Sequence, residues 1–227
     1  MDGLVLARLL QLASPTLPVG AYTYSQGLEW AVESGRMRDE AEAGRWIGDL
    51  LAHGIGRFEA PLLAQSMRHW VDGNIAEIAR LNADFLASRE SAELRAESLQ
   101  MGYSLKRLLG ELRDPALEAV HAALDDWPQV AFPTVWAGIA AAWRIDPPAA
   151  LGAYLWAWAE NQVLAALKAV PLGQAGGQRL LAELGRRIPA VAETALRLPE
   201  AAWSNFTPAF AICCARHETQ YSRLFRS

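Results

Sequence analysis

The sequence predicts an all-α protein, a single-domain helical bundle of roughly ten helices, and three observations carry that expectation. Apolar residues recur at three- and four-residue intervals, most cleanly in Leu94, Met101, Leu105, Leu108, Leu109 and Leu112. No run of β-branched residues alternates at period two for long enough to build a strand. The periodic segments are also punctuated by helix-starting pairs, Asp114-Pro115, Asp146-Pro147 and Thr207-Pro208, which set a cap beside a proline whose missing N–H costs nothing at the first helical position. At 227 residues, 52% hydrophobic and 20% charged, the chain is the size of one domain, 1–227, and too apolar for a disordered protein. No repeat at a fixed period is present.

Taken in order, Leu4–Leu12 forms a first helix ended by Ser14-Pro15. A second runs to about Gly35, with Leu28, Ala31 and Val32 on one face; Thr23 with Gln26 fits a capping box at its start, and Ser25 is a rival cap. Asp39 with Glu42 begins a longer helix holding Trp46, Ile47, Leu50, Leu51 and Ile55, which Pro61 kinks or divides. Asp72-Gly73-Asn74 breaks the chain, and Asn74 with Glu77 starts the helix of Ile78, Leu81 and Phe85. Glu90–Arg113 reads as a surface helix with its leucines on one face and Glu97, Lys106 and Glu111 on the other. Leu117, Val120 and Leu124 follow Asp114-Pro115. The helix from Pro147 to about Val170 is apolar nearly all round and belongs in the middle of the bundle. Pro171-Leu-Gly173 stops it, Gly176-Gly177 resets the backbone before Leu180, Leu181 and Leu184, and short helices follow Pro189, Pro199 and Pro208.

A net charge of −4 provides no global basic field for nucleic acid or an anionic membrane. The amino terminus lacks the basic region and cleavage site of a signal peptide. The apolar charge-free run Trp127–Trp143 holds two prolines and is shorter than the ~20 residues of a spanning helix. The two cysteines are adjacent, Cys213 and Cys214, a spacing unfavourable to a disulfide. Together these features predict a cytoplasmic protein.

Most catalytic signatures are absent. PLGQAGGQ, residues 171–178, has no Gly-Lys-Ser/Thr and no preceding strand, so it reads as a helix-to-helix turn with glutamines tying down free backbone groups. There is no Gly-x-Ser-x-Gly, and His217-Glu218 is followed by Tyr221 where a zinc protease needs its second histidine. Cys213 and Cys214 stand four and three residues before His217, which brings Cys214 and His217 into consideration as metal ligands; two ligands do not close a site, and His53, His69 and His121 are dispersed. No metal or cofactor is therefore assigned. Trp136, Trp143, Trp156 and Trp158 lie in the most apolar helices and fill the core, with an aromatic ligand pocket as the alternative.

Two stretches depart from ordinary helical sequence. Ser14–Trp30, SPTLPVGAYTYSQGLEW, sets Tyr22 and Tyr24 beside Ser25 and Glu29 in a proline- and glycine-shaped loop. His217–Ser227, HETQYSRLFRS, scatters Tyr221, Leu224 and Phe225 among arginines, the residue types enriched at interface hot spots.

LASPTLPVGAYTYSQGLEW, PLGQAGGQRLL and RHETQYSRLFRS, in this order and at this length, resemble the UreF-type urease accessory proteins across nearly the whole chain. The resemblance implies a cytoplasmic, all-helical, non-enzymatic protein without a cofactor that helps load nickel into apo-urease. It implies bridging of a UreD/UreH-type accessory protein and the nickel-carrying UreG-type GTPase, commonly as a homodimer within the complex, with GTP hydrolysis modulated on the partner. On this resemblance 217–227 is a partner-binding tail, and His217, Glu218, Tyr221, Arg223, Leu224 and Phe225 bind the UreD-type protein. Tyr22, Tyr24, Ser25, Gly27 and Glu29 form the GTPase-facing surface or its support. Rival expectations are a small molecule in a Trp-rich pocket and direct carriage of nickel by Cys214 and His217.

Overall fold

The computed structural model describes residues 2–227, and every regular element among them is helical. The eleven α-helices are α1 (Gly3–Ala13), α2 (Leu28–Glu33), α3 (Glu40–Asp49), α4 (Glu59–Asp72), α5 (Ile75–Ala87), α6 (Ala92–Leu112), α7 (Glu118–Leu124), α8 (Phe132–Ala142), α9 (Pro147–Ala169), α10 (Gln174–Arg197) and α11 (Pro208–His217). The sequence-predicted bundle is thus present with one helix more than expected.

Capping explains many of the boundaries. Asp39 accepts the Glu42 N–H at 2.8 Å, Asn74 that of Glu77 at 3.3 Å and Ser91 that of Leu94 at 3.1 Å. Asp114 accepts the Ala116 N–H and starts a short 3-10 turn, Pro115–Leu117, ahead of α7. These caps each satisfy a backbone donor that the first helical turn leaves free.

α9 occupies the middle, packed against α1, α2, α3, α4 and α10, while α8 lies between α4 and α6. Leu151, Leu155, Ala159 and Val163 of α9 and Val135, Trp136 and Ile139 of α8 are all buried. The Trp136 ring meets Tyr154 edge-on at 5.2 Å between centroids. Trp143 is buried as expected, but Trp156 is 37% exposed, so α9 reaches solvent along one strip.

Four expectations require correction. Pro189 does not separate helices: α10 runs through it, because the stripe Leu180, Leu184, Ile188, Ala192 and Ala195 buries along one side and outweighs one lost backbone bond. Gly176 and Gly177 lie inside the first turn of α10, and Gln174 and Gln178 are exposed. A Cβ on Gly177 would stand 2.9 Å from the Leu167 side chain and one on Gly176 2.9 Å from the Glu40 carboxylate, so Gly177 serves close α9–α10 packing and Gly176 the approach of α3. Pro61 sits in the first turn of α4, and the division comes earlier, through a π-helical turn at Leu50–Ile55. After Pro199 the chain makes only a 3-10 turn, Glu200–Ala202.

Candidate functional site

The two unusual stretches meet. Gly20 and Gly27 adopt left-handed φ values of 76° and 73°, and Gln26 joins them at 53°, so the chain makes a sharp turn immediately before α2. A Cβ on Gly27 would lie 2.8 Å from the Cys214 backbone nitrogen, which lets α11 pack directly on this turn. Thr23 and Gln26 do not form the expected capping box. Thr23 belongs to a 3-10 turn, and the Gln26 amide is drawn away by Glu97 at 2.6 Å and the Trp158 indole at 2.8 Å. Ser25 does not hold the cap position either: that is Gly27, and the Ser25 hydroxyl, two residues earlier, accepts the Glu29 N–H at 3.3 Å.

The segment after α11 folds back onto this turn. Glu29 accepts the Leu224 N–H at 2.7 Å and the Phe225 N–H at 3.0 Å. The Arg226 N–H donates to the Thr23 carbonyl at 2.8 Å. Ser25 donates to the Ser227 carbonyl from its N–H at 2.7 Å and from its hydroxyl at 2.6 Å. Phe225 is buried to 6% exposure, with the Lys168 ammonium of α9 5.3 Å from its ring centre.

His217, the last residue of α11, is fully buried between two carboxylates, with Nδ1 2.7 Å from Glu93 and Nε2 3.3 Å from Glu29. Arg223 pairs with the other Glu93 oxygen at 2.6 Å. Glu218 accepts the Ala92 N–H at 2.7 Å and so caps α6 from outside, where its charge also suits the helix dipole. Glu97 lies one turn deeper in α6. It accepts the Ser227 hydroxyl at 2.7 Å together with the Gln26 amide, and burial pushes its carboxyl up to about 7 against the hydrogen bonds that favour the charged form.

The candidate residues therefore separate by exposure. Tyr24, Ser25, Gly27, Glu29, His217 and Phe225 are buried and hold the junction together. Tyr22 at 62%, Leu224 at 71% and Tyr221, fully exposed, face solvent with Glu218 and Arg223. Cys214 does not share a metal-binding face with an open imidazole: both His217 nitrogens face carboxylates, and burial holds the Cys214 thiol well above its ordinary range. Among the described residues no three His, Cys, Asp or Glu side chains gather to hold a metal.

Sequence reasoning missed Glu97, Glu93, Gln26 and Ser227, and placed Glu97 on the polar face of its helix. The signal was available. Glu97 stands three residues after Leu94 and four before Met101, which puts it on the buried stripe. It also missed a neighbouring polar group in which Glu59 accepts from the Tyr154 hydroxyl and pairs with Arg89 at 3.4 Å. Glu59, Glu97, Arg89, Trp136 and Trp158 line a cavity of about 110 Å³ between the opening loop and α9.

Fold and site define an all-α protein whose opening turn and C-terminal segment close over shared carboxylates. The UreF family model matches residues 37–185, more than half of the chain. The chain is 72% identical over 224 residues to the urease accessory protein UreF of Dechloromonas aromatica (strain RCB), covering 99% of this chain and 98% of that protein. It is 64% identical over 228 residues to the UreF of Azoarcus sp. (strain BH72), with 99% and 96% covered, and 44% identical over 227 residues to that of Janthinobacterium sp. (strain Marseille), with both covered in full. The chain belongs to the UreF family of urease accessory proteins. No helix among the described residues is long and apolar enough to cross a membrane.

Proposed function

We propose that the protein is a non-catalytic cytoplasmic assembly factor that bridges a UreD/UreH-type protein and a UreG-type GTPase during nickel insertion into apo-urease, modulates the GTPase and acts as a homodimer in the complex. The observation that carries this reading is the presentation of Tyr221 and Leu224. Both are exposed on a segment whose backbone is fixed by Glu29, Thr23 and Ser25 and whose Phe225 is buried. Holding apolar side chains outward on an ordered segment lowers the entropy lost when a partner covers them. Tyr22, exposed on the opening loop, suits the GTPase-facing role; Tyr24, Ser25, Gly27 and Glu29 support it from below.

Point substitutions test this better than deletion of 220–227, which would also strip Glu29 and Ser25 of their partners. The double substitution Tyr221→Ala/Leu224→Ala should leave the circular dichroism unchanged and abolish co-purification with a UreD-type protein. Undiminished recovery would remove the tail assignment. Tyr22→Ala should spare that contact and weaken recovery of the UreG-type GTPase.

The cavity lined by Trp136 and Trp158 favours one second reading, a small-molecule site. A stoichiometric low-mass adduct in native mass spectrometry of the purified protein would support it.

A further inference from the structure

We propose that seating of the C-terminal segment on the opening turn is proton-coupled through Glu97, so that the segment is held in acidic surroundings and loosened as they become neutral. This regulates the same surface proposed above to bind partners, and it rests on that reading only for its biological meaning.

The coupling follows from what the segment does to one carboxyl group. Glu97 is 5% exposed, and its Oε2 takes the Ser227 hydroxyl while its Oε1 takes the Gln26 amide. Ser227 lies over Glu97 only while the segment is seated, since the Ser227 carbonyl is held by Ser25 and the next N–H back by Thr23. When the segment leaves, water reaches the carboxylate from that side. The seated state is thus the state that keeps Glu97 dry.

Every element around Glu97 bears on the balance. Glu59 on α4 opposes its charge and Arg89, between α5 and α6, favours it, but burial is the largest influence and carries the carboxyl up to about 7. Tyr154 on α9 and the Cys214 thiol on α11 are neutral groups that this carboxylate in turn pushes further from ionisation. From the tail and opening loop, only the hydroxyl and the amide touch it, while the Ser227 main-chain carbonyl is held by Ser25. Glu29, Glu93, His217 and Arg223 form a second charged group at the other end of the segment.

The sign follows directly. With the seated value raised to about 7 from an ordinary 4.5, seating takes up a proton between those two pH values. The holding power contributed by Glu97 is complete below the lower value, falls as pH rises by at most about tenfold per pH unit, and is flat above the upper one. Neighbouring groups can add their own dependence, so the Glu97 part is the part that Glu97→Gln removes.

Amide hydrogen exchange of the full chain, corrected for intrinsic rate, reads the seating at Leu224, Phe225 and Arg226, whose N–H groups donate to Glu29 and Thr23. Protection at these amides should fall at least tenfold between pH 5.5 and 7.5. In Glu97→Gln, which keeps the shape without the charge, that loss should shrink to a few-fold or vanish. An equal loss in wild type and Glu97→Gln, or no loss in wild type, overturns the proposal. If Glu97→Gln does not fold, the carbon NMR titration of Glu97 in the wild-type chain decides: a midpoint near 7 that coincides with loss of tail protection supports the coupling, and a midpoint in the ordinary carboxylate range overturns it. No partner is present in these measurements, so a failed pull-down and a failed proton coupling are separate results.

Discussion

Around Trp136 the protein is held by apolar contact, whereas around Glu29 it is held by hydrogen bonds converging on one carboxylate. Trp136 is 1% exposed and packs among Tyr154, α4 and α9. Glu29 is also buried, at 7%, but its neighbours are the N–H groups of Leu224 and Phe225 and the His217 ring. The first region responds mainly to lost volume. The second depends on charge and on the arrival of a segment almost two hundred residues away in sequence, as Glu29 and Leu224 are separated by 195. Contacts of the second kind open at lower free energy than the core.

Substitutions can break or sharpen this contrast, and the core should respond most. Trp136→Ala removes a buried ring and should cost about 4 kcal/mol in urea unfolding. Tyr24→Ala lies at the border of the two regions. Its ring is 5% exposed within the main core, so a loss of about 3 kcal/mol is expected, and a near-neutral result would return this tyrosine to the partner-facing set. Glu29→Gln leaves a donor facing a backbone N–H and should cost about 2 kcal/mol while erasing exchange protection at Leu224 and Phe225 and sparing the amides of α9. Equal loss of protection in α9 would mean that the junction and the core unfold as one. Tyr221→Ala should change stability by less than about 0.5 kcal/mol, because the side chain touches little, and should register only in partner recovery.

How much of this was readable in advance differs between fold and site. The caps at Asp39, Asn74 and Asp114 were legible because a cap and its amide lie within three residues. The continuity of α10 through Pro189 was not, since local sequence shows the proline and only packing shows the stripe that overrides it. At the site, the opening stretch and the tail were both singled out as unusual. Their exposed and buried members could not be told apart, because Tyr22 and Tyr24 are two residues apart and differ only in which way the turn at Gly20 aims them.

The sequence by itself determined the helical class, most helix starts and the central place of α9, because periodicity and capping act within a few residues. Only the tertiary structure decided that Ser227 closes over Glu97, that Glu29 holds the tail and that His217 is spent on two carboxylates. Those contacts join residues 124 to 196 positions apart, and no local pattern encodes which donor will reach a carboxylate once the chain is folded.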